Sequence, residues 1–187
     1  MGSNMDALTA IHTRRTIHKY TDLPVPVDVI DQCIDAAHHA PNHKLTWPWT
    51  FIVVGAKTRT RLFDMALGMR KQAPGMTPQV EQRLREKLLN PGGMVIVTQT
   101  HCDNAFRERE DYAATSCAIQ NFMLAAQSLG YGTKWSTGAI TRLPESYEIF
   151  EVDAQKQTIV GLIWIGEAVA VPSIERPSLQ SVTRYLP

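Results

Sequence analysis

The sequence predicts an α+β or α/β fold in which helices cover a mixed sheet, and three observations predict it. β-Branched runs at 50–55, 93–100 and 158–166 are separated by long segments whose apolar residues recur at helical spacing. Gly and Pro punctuate the joints, as at Pro41, Pro91-Gly92 and Gly130. At 187 residues the chain fits one compact domain, long enough to bury a core without disulfides or structural metals.

Taken in order, Asp6 is a candidate N-cap for a first helix reaching about Arg15, with Leu8, Ile11 and Arg15 along one side. Pro26 opens a second helix where its missing N–H costs nothing, and Ile30, Cys33, Ile34 and Ala37 repeat at i, i+3, i+4, i+7 until Pro41 stops it. Residues 50–55 read as a buried strand. Thr58 begins a helix carrying Leu62, Phe63, Ala66 and Met69, which Gln72 to Gly75 break. Thr77 before Pro78 signals another start, with Val80, Leu84 and Leu88 on one face until Asn90-Pro91-Gly92. A second strand follows over 93–100. From about Glu110 a long helix carries Cys117, Asn121, Leu124, Ala125 and Leu129 and stops with Gly130 in the C′ position; it is the expected central rod of the core. Residues 132–140 form a short strand or extended loop, 144–150 a short helix and 158–166 the third clear strand. The Pro-rich tail holds Val169, Val171, Ile174, Leu179, Val182, Tyr185 and Leu186, too many apolar groups for a free end. It is expected to pack on something, a second subunit being one solution.

Nineteen Lys and Arg against 18 Asp and Glu leave a formal charge of +1 with no charged block, which argues against a nucleic-acid binder. The apolar runs fall short of the ~20 residues that a membrane-spanning helix needs, and no cleavable apolar segment follows the polar start, so a cytoplasmic location is expected. Met1, Gly2, Ser3 and Asn4 before Met5 read as an expression leader, and 5–187 as the single domain. The three cysteines are widely spaced without a Cys-x-x-Cys pair and are expected to be reduced. Cys33 and Cys117, among apolar residues at helical spacing, are expected to be buried structural thiols.

A dinucleotide fingerprint after Gly130 and Gly132 would need glycine where Trp135 stands, and neither a P-loop nor a Gly-x-Ser-x-Gly elbow is present. His38, His39 and His43 invite a metal reading. Pro41, however, drives Ala40 away from helical dihedrals, so the imidazoles need not share a face, and a surface role or a cofactor contact remains. Arg14, Arg15 and Thr16, with His18 and Lys19 close behind, form a cluster able to grip an anion. A guanidinium fork binds phosphate oxygens in pairs, and a hydroxyl adds one more hydrogen bond.

As a set, Arg14-Arg15-Thr16, Pro24-Val25-Pro26, Ala40-Pro41 and Pro48-Trp49-x-Phe51-x-Val53-Val54 resemble the N-terminal signature of the nitroreductase family. Gly130-Tyr131-Gly132-Thr133-x-Trp135-Ser136-Thr137-Gly138 resembles its second flavin segment, and Ile159-Val160-Gly161-x4-Gly166 is similar to its late core strand. The resemblance spans nearly all of 5–187 and points to a short-chain branch of NAD(P)H nitroreductases in which Pro41-x-His43-Lys44 precedes Pro48-Trp49. It implies an α+β nitroreductase-like fold, a mixed central sheet wrapped by helices, in an intertwined homodimer whose tails pack on the partner. Each FMN would lie in a cleft built by both chains. Arg14, Arg15 and Thr16 would hold its phosphate and ribityl chain, joined by Arg176. His39 and His43 would approach from the partner subunit, and Trp135, Ser136, Thr137 and Gly138 would lie along the isoalloxazine with backbone N–H groups near N5 and O4.

A flavin takes hydride at N5 and gains negative charge across N1 and O2, so the resemblance implies cofactor chemistry with no protein nucleophile. The implied activity is ping-pong: NADH or NADPH reduces FMN, then a small-molecule acceptor such as a nitroaromatic or quinone takes its place. Flavin-using dehydrogenases, reductive dehalogenases and flavin-degrading enzymes share this scaffold, and an FMN carrier or sensor without turnover is a further alternative. The chain departs from the family at Asn42, Leu45 and Trp47, where many members place polar flavin contacts. Thr16 keeps the hydroxyl of the commoner Ser, and His18 stands where Arg or Lys is frequent.

Overall fold

Two strands covered on both faces organise the chain. Along 94–97, Met94 and Ile96 alternate with Val95 and Val97, and all four are fully buried. A strand apolar at every position must be sandwiched between layers. The computed structural model describes residues 5–187, so the leader read over 1–4 lies outside the described residues. The elements are α1 (Ala7–Thr13), α2 (Val27–His38), β1 (Trp49–Val53), α3 (Ala56–Lys71), α4 (Pro78–Leu89), β2 (Gly93–Thr100), α5 (Ala105–Ser128), β3 (Gly132–Ser136), α6 (Pro144–Ile149) and β4 (Gln157–Gly166). The sheet runs β1-β2-β4-β3 with antiparallel ladders, and a parallel bridge from Thr16 to Thr133 at the outer edge of β3 makes it mixed.

Strand alternation divides the core in two. Val95, Val97, Ile163 and Ile165 face α2 and α5, meeting Cys33, Ala37, Ala118, Ile119 and Phe122. Met94, Ile96, Leu162 and Trp164 face the other way, onto Leu62 and Phe63 of α3, Leu88 of α4 and Ile149 of α6. The result is helices, sheet, helices, the layered α+β architecture that the pattern predicts.

Helix ends follow their capping chemistry. Asp6 accepts from the Thr9 N–H, Thr77 from Val80 just ahead of Pro78, and Gly130 takes φ +87 beyond α5. Three expectations need correction. α5 begins at Ala105, five residues before Glu110, because Asn104 caps the Arg107 N–H over a first turn that faces solvent and shows no apolar period. α1 ends at Thr13, so Arg15 is not helical; Leu8 and Ile11 are exposed and Ala10 is the buried residue. Cys117 is exposed, lying just off the core-facing row of Ala114, Ala118 and Ile119, whereas Cys33 is fully buried and burial pushes its thiol up to about 12.

The tail is tied to the body where it leaves β4. Thr21 N–H donates to Glu167 O (3.1 Å), Val169 N–H to Lys19 O (3.1 Å), and Tyr20 bridges Ala168. Beyond that, Ile174, Leu179, Val182, Tyr185 and Leu186 are exposed, so their own chain does not cover them. Among the described residues no helix is long and apolar enough to cross a membrane.

Gly161, at the centre of β4, connects packing to the site. A Cβ there would collide with the Trp135 indole Nε1 and stand 3.1 Å from Ser136 O, so β3 and its tryptophan need a glycine beneath them. Gly161→Ala is expected to cost ~1–3 kcal/mol and to alter the near-UV dichroism of the tryptophans. Gly68→Ala, in the last turn of α3 with open space around it, should gain up to ~1 kcal/mol. Urea midpoints check both; a Gly161→Ala protein with native midpoint and spectrum contradicts the packing account.

Candidate active site

Edge pairing assembles the site. Ile17 N–H donates to Thr133 O (3.0 Å), which lays the segment after α1 along the outer edge of β3. Arg14 is half-buried; burial first, then the charges of Arg176 and Arg15, hold its guanidinium below the usual arginine range. Arg15 donates to the carbonyls of His12 (2.7 Å) and Arg14 (2.9 Å). Among the described residues the ion pairs are His43–Glu110 and Lys156–Asp153, so none of these three guanidiniums has a carboxylate partner. Like charges gathered without a counter-ion repel, and a bound anion would recover that energy.

β3 carries the second half of the site. Trp135 fits over Gly161 with its Nε1 buried and unpartnered, and the Thr133 hydroxyl is likewise orphaned. Trp164 Nε1 donates to Ser136 Oγ (3.2 Å), at the last ladder pair. Thr137 and Gly138 lie beyond it, exposed. Thus Arg14, Arg15, Thr16 and Arg176 gather at the same sheet edge as Trp135, Ser136, Thr137 and Gly138.

His39 and His43 do not join them. His43 stands in the loop before β1, the opposite outer strand, three strand spacings or roughly 14 Å across the sheet, whereas His39, at the C-cap of α2, lines a cleft with Ala7 and Ala10 of α1 and Asn121 of α5. His39 Nδ1 meets Asp35 O at 2.9 Å, and His43 Nδ1 stands 2.9 Å from Glu110 Oε1. The loop after them is clamped in an unusual shape. Asn42 Oδ1 accepts the Trp47 N–H (2.7 Å), Asn42 Nδ2 donates to Thr46 Oγ1 (3.1 Å), and Thr46 donates to the buried Asp111 carboxylate (2.7 Å). These bonds hold Lys44, Leu45 and Trp47 at φ 66, 53 and 41, left-handed conformations that cost ~1–3 kcal/mol each in non-glycine residues. Leu45 and Trp47 are exposed. His38 instead accepts from Trp49 Nε1 (3.2 Å). Among the described residues no three or more of His, Cys, Asp and Glu are grouped to hold a metal.

Two cations escaped sequence reasoning. Lys134 Nζ lies 3.4 Å from His18 Nδ1, and burial, then the charge of Lys87, holds its ammonium below the usual lysine range. Lys87 lies in the last turn of α4, whose exposed face reads as ordinary solvated charge. Lys134 could have been found: it alternates between the core-facing Thr133 and Trp135, so it must emerge on the α4 side.

Fold and site define an α+β protein with an unneutralised cationic cradle at one sheet edge and a strained, clamped loop at the other. The chain belongs to the nitroreductase family, whose model, described as "Nitroreductase family", matches residues 11–167. It is 32% identical over 168 residues, 89% of this chain and 86% of the other, to the Bacillus subtilis (strain 168) protein named "Putative NAD(P)H nitroreductase YfhC". Among solved structures it is similar to a nitroreductase-like family protein from Bacillus cereus (26% identity, TM-score 0.84, 100% of this chain and 98% of that one). It also shares its fold with a nitroreductase with bound FMN from Bacteroides fragilis NCTC 9343 (19% identity, TM-score 0.75, covering 97% and 100%).

An unpaired arginine cluster has a measurable signature. Arg14→Gln removes one repelling charge and no ion pair, so the variant is expected to be at least as stable as the parent at low ionic strength, with any gain shrinking as salt is added. Thermal melts at two salt concentrations check this; a loss above ~1 kcal/mol contradicts it.

Proposed function

We propose that the protein is an FMN-dependent oxidoreductase that passes reducing equivalents from NADH or NADPH to an oxidised small molecule such as a nitroaromatic or a quinone. The observation that carries this reading is the Arg14, Arg15 and Arg176 cluster, unpaired at the edge of β3. Membership of the nitroreductase family supports flavoprotein oxidoreductase chemistry, and the FMN bound by the Bacteroides fragilis protein of this fold supports the cofactor.

The donor set fits the group. Three planar forks suit a phosphate dianion, and Thr16 adds a hydroxyl beside them. In this reading the guanidiniums anchor the phosphate, and the main chain of 135–138 orients the ring. The bound flavin supplies the two-electron chemistry. Trp135, locked over Gly161, keeps β3 from shifting under the ring, and no side chain is required as nucleophile.

A second copy completes the site. The loop at 42–47, with His43, lies across the sheet from the arginine cluster, which supports an approach to the ring by the partner subunit's His43, and with it the partner subunit's His39, in a homodimer. Exposed Leu8 and Ile11 on α1 and the uncovered apolar groups of the tail supply surface for that contact.

The purified protein is expected to bind FMN, to show flavin absorbance bands, and to bleach anaerobically with NADH or NADPH at a rate that saturates with donor concentration in stopped flow. Product analysis with a nitroaromatic and a quinone then identifies the acceptor class. A protein that stays colourless with added FMN overturns the reading; one that binds FMN without saturable bleaching is a carrier.

A further inference from the structure

Two consecutive carboxylates of α5 hold the loop that precedes β1. Asp111, buried, takes the Thr46 hydroxyl at 2.7 Å, and Glu110, one residue earlier, stands 2.9 Å from His43 Nδ1. Asp111 has a structural part, since with Asn42 it keeps the left-handed residues 44, 45 and 47 in place. Glu110 has a different one. An ion pair as open as this, with the imidazole side chain 60% exposed, contributes little to stability.

What the contact fixes is which ring nitrogen carries hydrogen. An ionised carboxylate only accepts, so Nδ1 keeps its hydrogen whether the ring is neutral or charged, and Nε2 is the nitrogen that gives up and regains a proton. Among the described residues Nε2 of His43 has no hydrogen-bond partner, and no other histidine meets a carboxylate. His38 instead accepts at Nδ1 from Trp49, and His101 engages both nitrogens, with Gln155 O and Thr158 Oγ1. An imidazole backed by a carboxylate, with its far nitrogen open, is a proton donor held in one tautomer.

Reduction of a quinone calls for such a donor. The hydroquinone forms by gain of two electrons and two protons; both electrons and one proton arrive as hydride from the reduced flavin, and the other proton comes from an acid. We propose, on the FMN-dependent reading in which His43 of one protomer reaches the ring anchored by the other, that His43 gives that second proton and that Glu110 is its positioning residue. The Nε2–H bond of the imidazolium breaks with its electron pair left on the ring, an O–H bond forms on the quinone, and water returns a proton to Nε2.

The test has a spectroscopic arm and a kinetic arm. Purified protein carrying 15N-histidine is followed by long-range 1H–15N correlation in mildly alkaline buffer, with His43 assigned by its loss in His43→Gln. The parent is expected to show hydrogen on Nδ1 and a bare Nε2; Glu110→Gln, whose amide can donate to Nδ1, should move the hydrogen to Nε2. In stopped flow, protein reduced with NADH or NADPH is mixed with benzoquinone, which takes protons, or with ferricyanide, which takes electrons alone. The ratio of the two rates should fall at least about tenfold in His43→Gln and in Glu110→Gln, and added imidazole should restore part of it to His43→Ala. A loop merely loosened by the substitutions slows both acceptors alike. Hydrogen on Nε2 in the parent, or a ratio unmoved in either variant, overturns the proposal while flavin reduction stands. Failure to take up FMN, seen in the absorbance before any acceptor is added, overturns the oxidoreductase reading and the proton donor with it.

Discussion

A short edge pairing positions nearly everything that matters at the β3 side of the molecule. Thr16 bridges Thr133, Tyr20 bridges Ala168, and Val169 donates back to Lys19, so the segment after α1 and the start of the tail run together along one margin of the sheet. The pairing needs Gly132, because a Cβ there would press on Ile17 Cγ1 at 2.5 Å. It also covers strand donors and acceptors that would otherwise stand open at an edge. Because both segments are pinned, Arg14 and Arg176 are brought within range of each other's charge, far apart as they are in the chain.

The two margins of the sheet are strained in different currencies. At β3 the strain is electrostatic, three guanidiniums without counter-ions. At β1 it is conformational, with three left-handed side-chain-bearing residues held by Asn42, Thr46 and Asp111. Neither arrangement serves the stability of an isolated chain, and such costs concentrate where a ligand or partner is to be met. In the proposed homodimer the two margins come from different chains. That arrangement accounts for the exposed apolar residues of α1, Leu45, Trp47 and the tail, which a single chain leaves unpaired.

Much of this was legible in the chain. β2 spans 93–100 as its β-branched run predicts, Thr77 caps α4 ahead of Pro78, and Gly130 adopts the positive φ that its C′ position requires. These features are decided by local chemistry. The start of α5 was not legible, because a solvated first turn has no apolar period and depends on the Asn104 cap alone. The exposure of Cys117 depends on which face of α5 meets α2, a tertiary choice that the helical repeat does not make. Arg14, Arg15 and Thr16 stood out as contiguous residues, whereas the Lys87 and Lys134 pair is separated by the whole of α5. Only the meeting of α4 with β3 joins them.

The central claim is that the guanidiniums at the β3 margin grip a phosphate, and the sharpest test compares FMN with riboflavin, which differ by that group alone. Dissociation constants from fluorescence quenching should favour FMN on the order of 100-fold, the ~2.7 kcal/mol of one or two charge-assisted hydrogen bonds. Arg14→Gln with Arg176→Gln should bring the ratio close to one. Equal affinities in the parent protein, or a preference for FMN that survives in the double variant, would contradict the account.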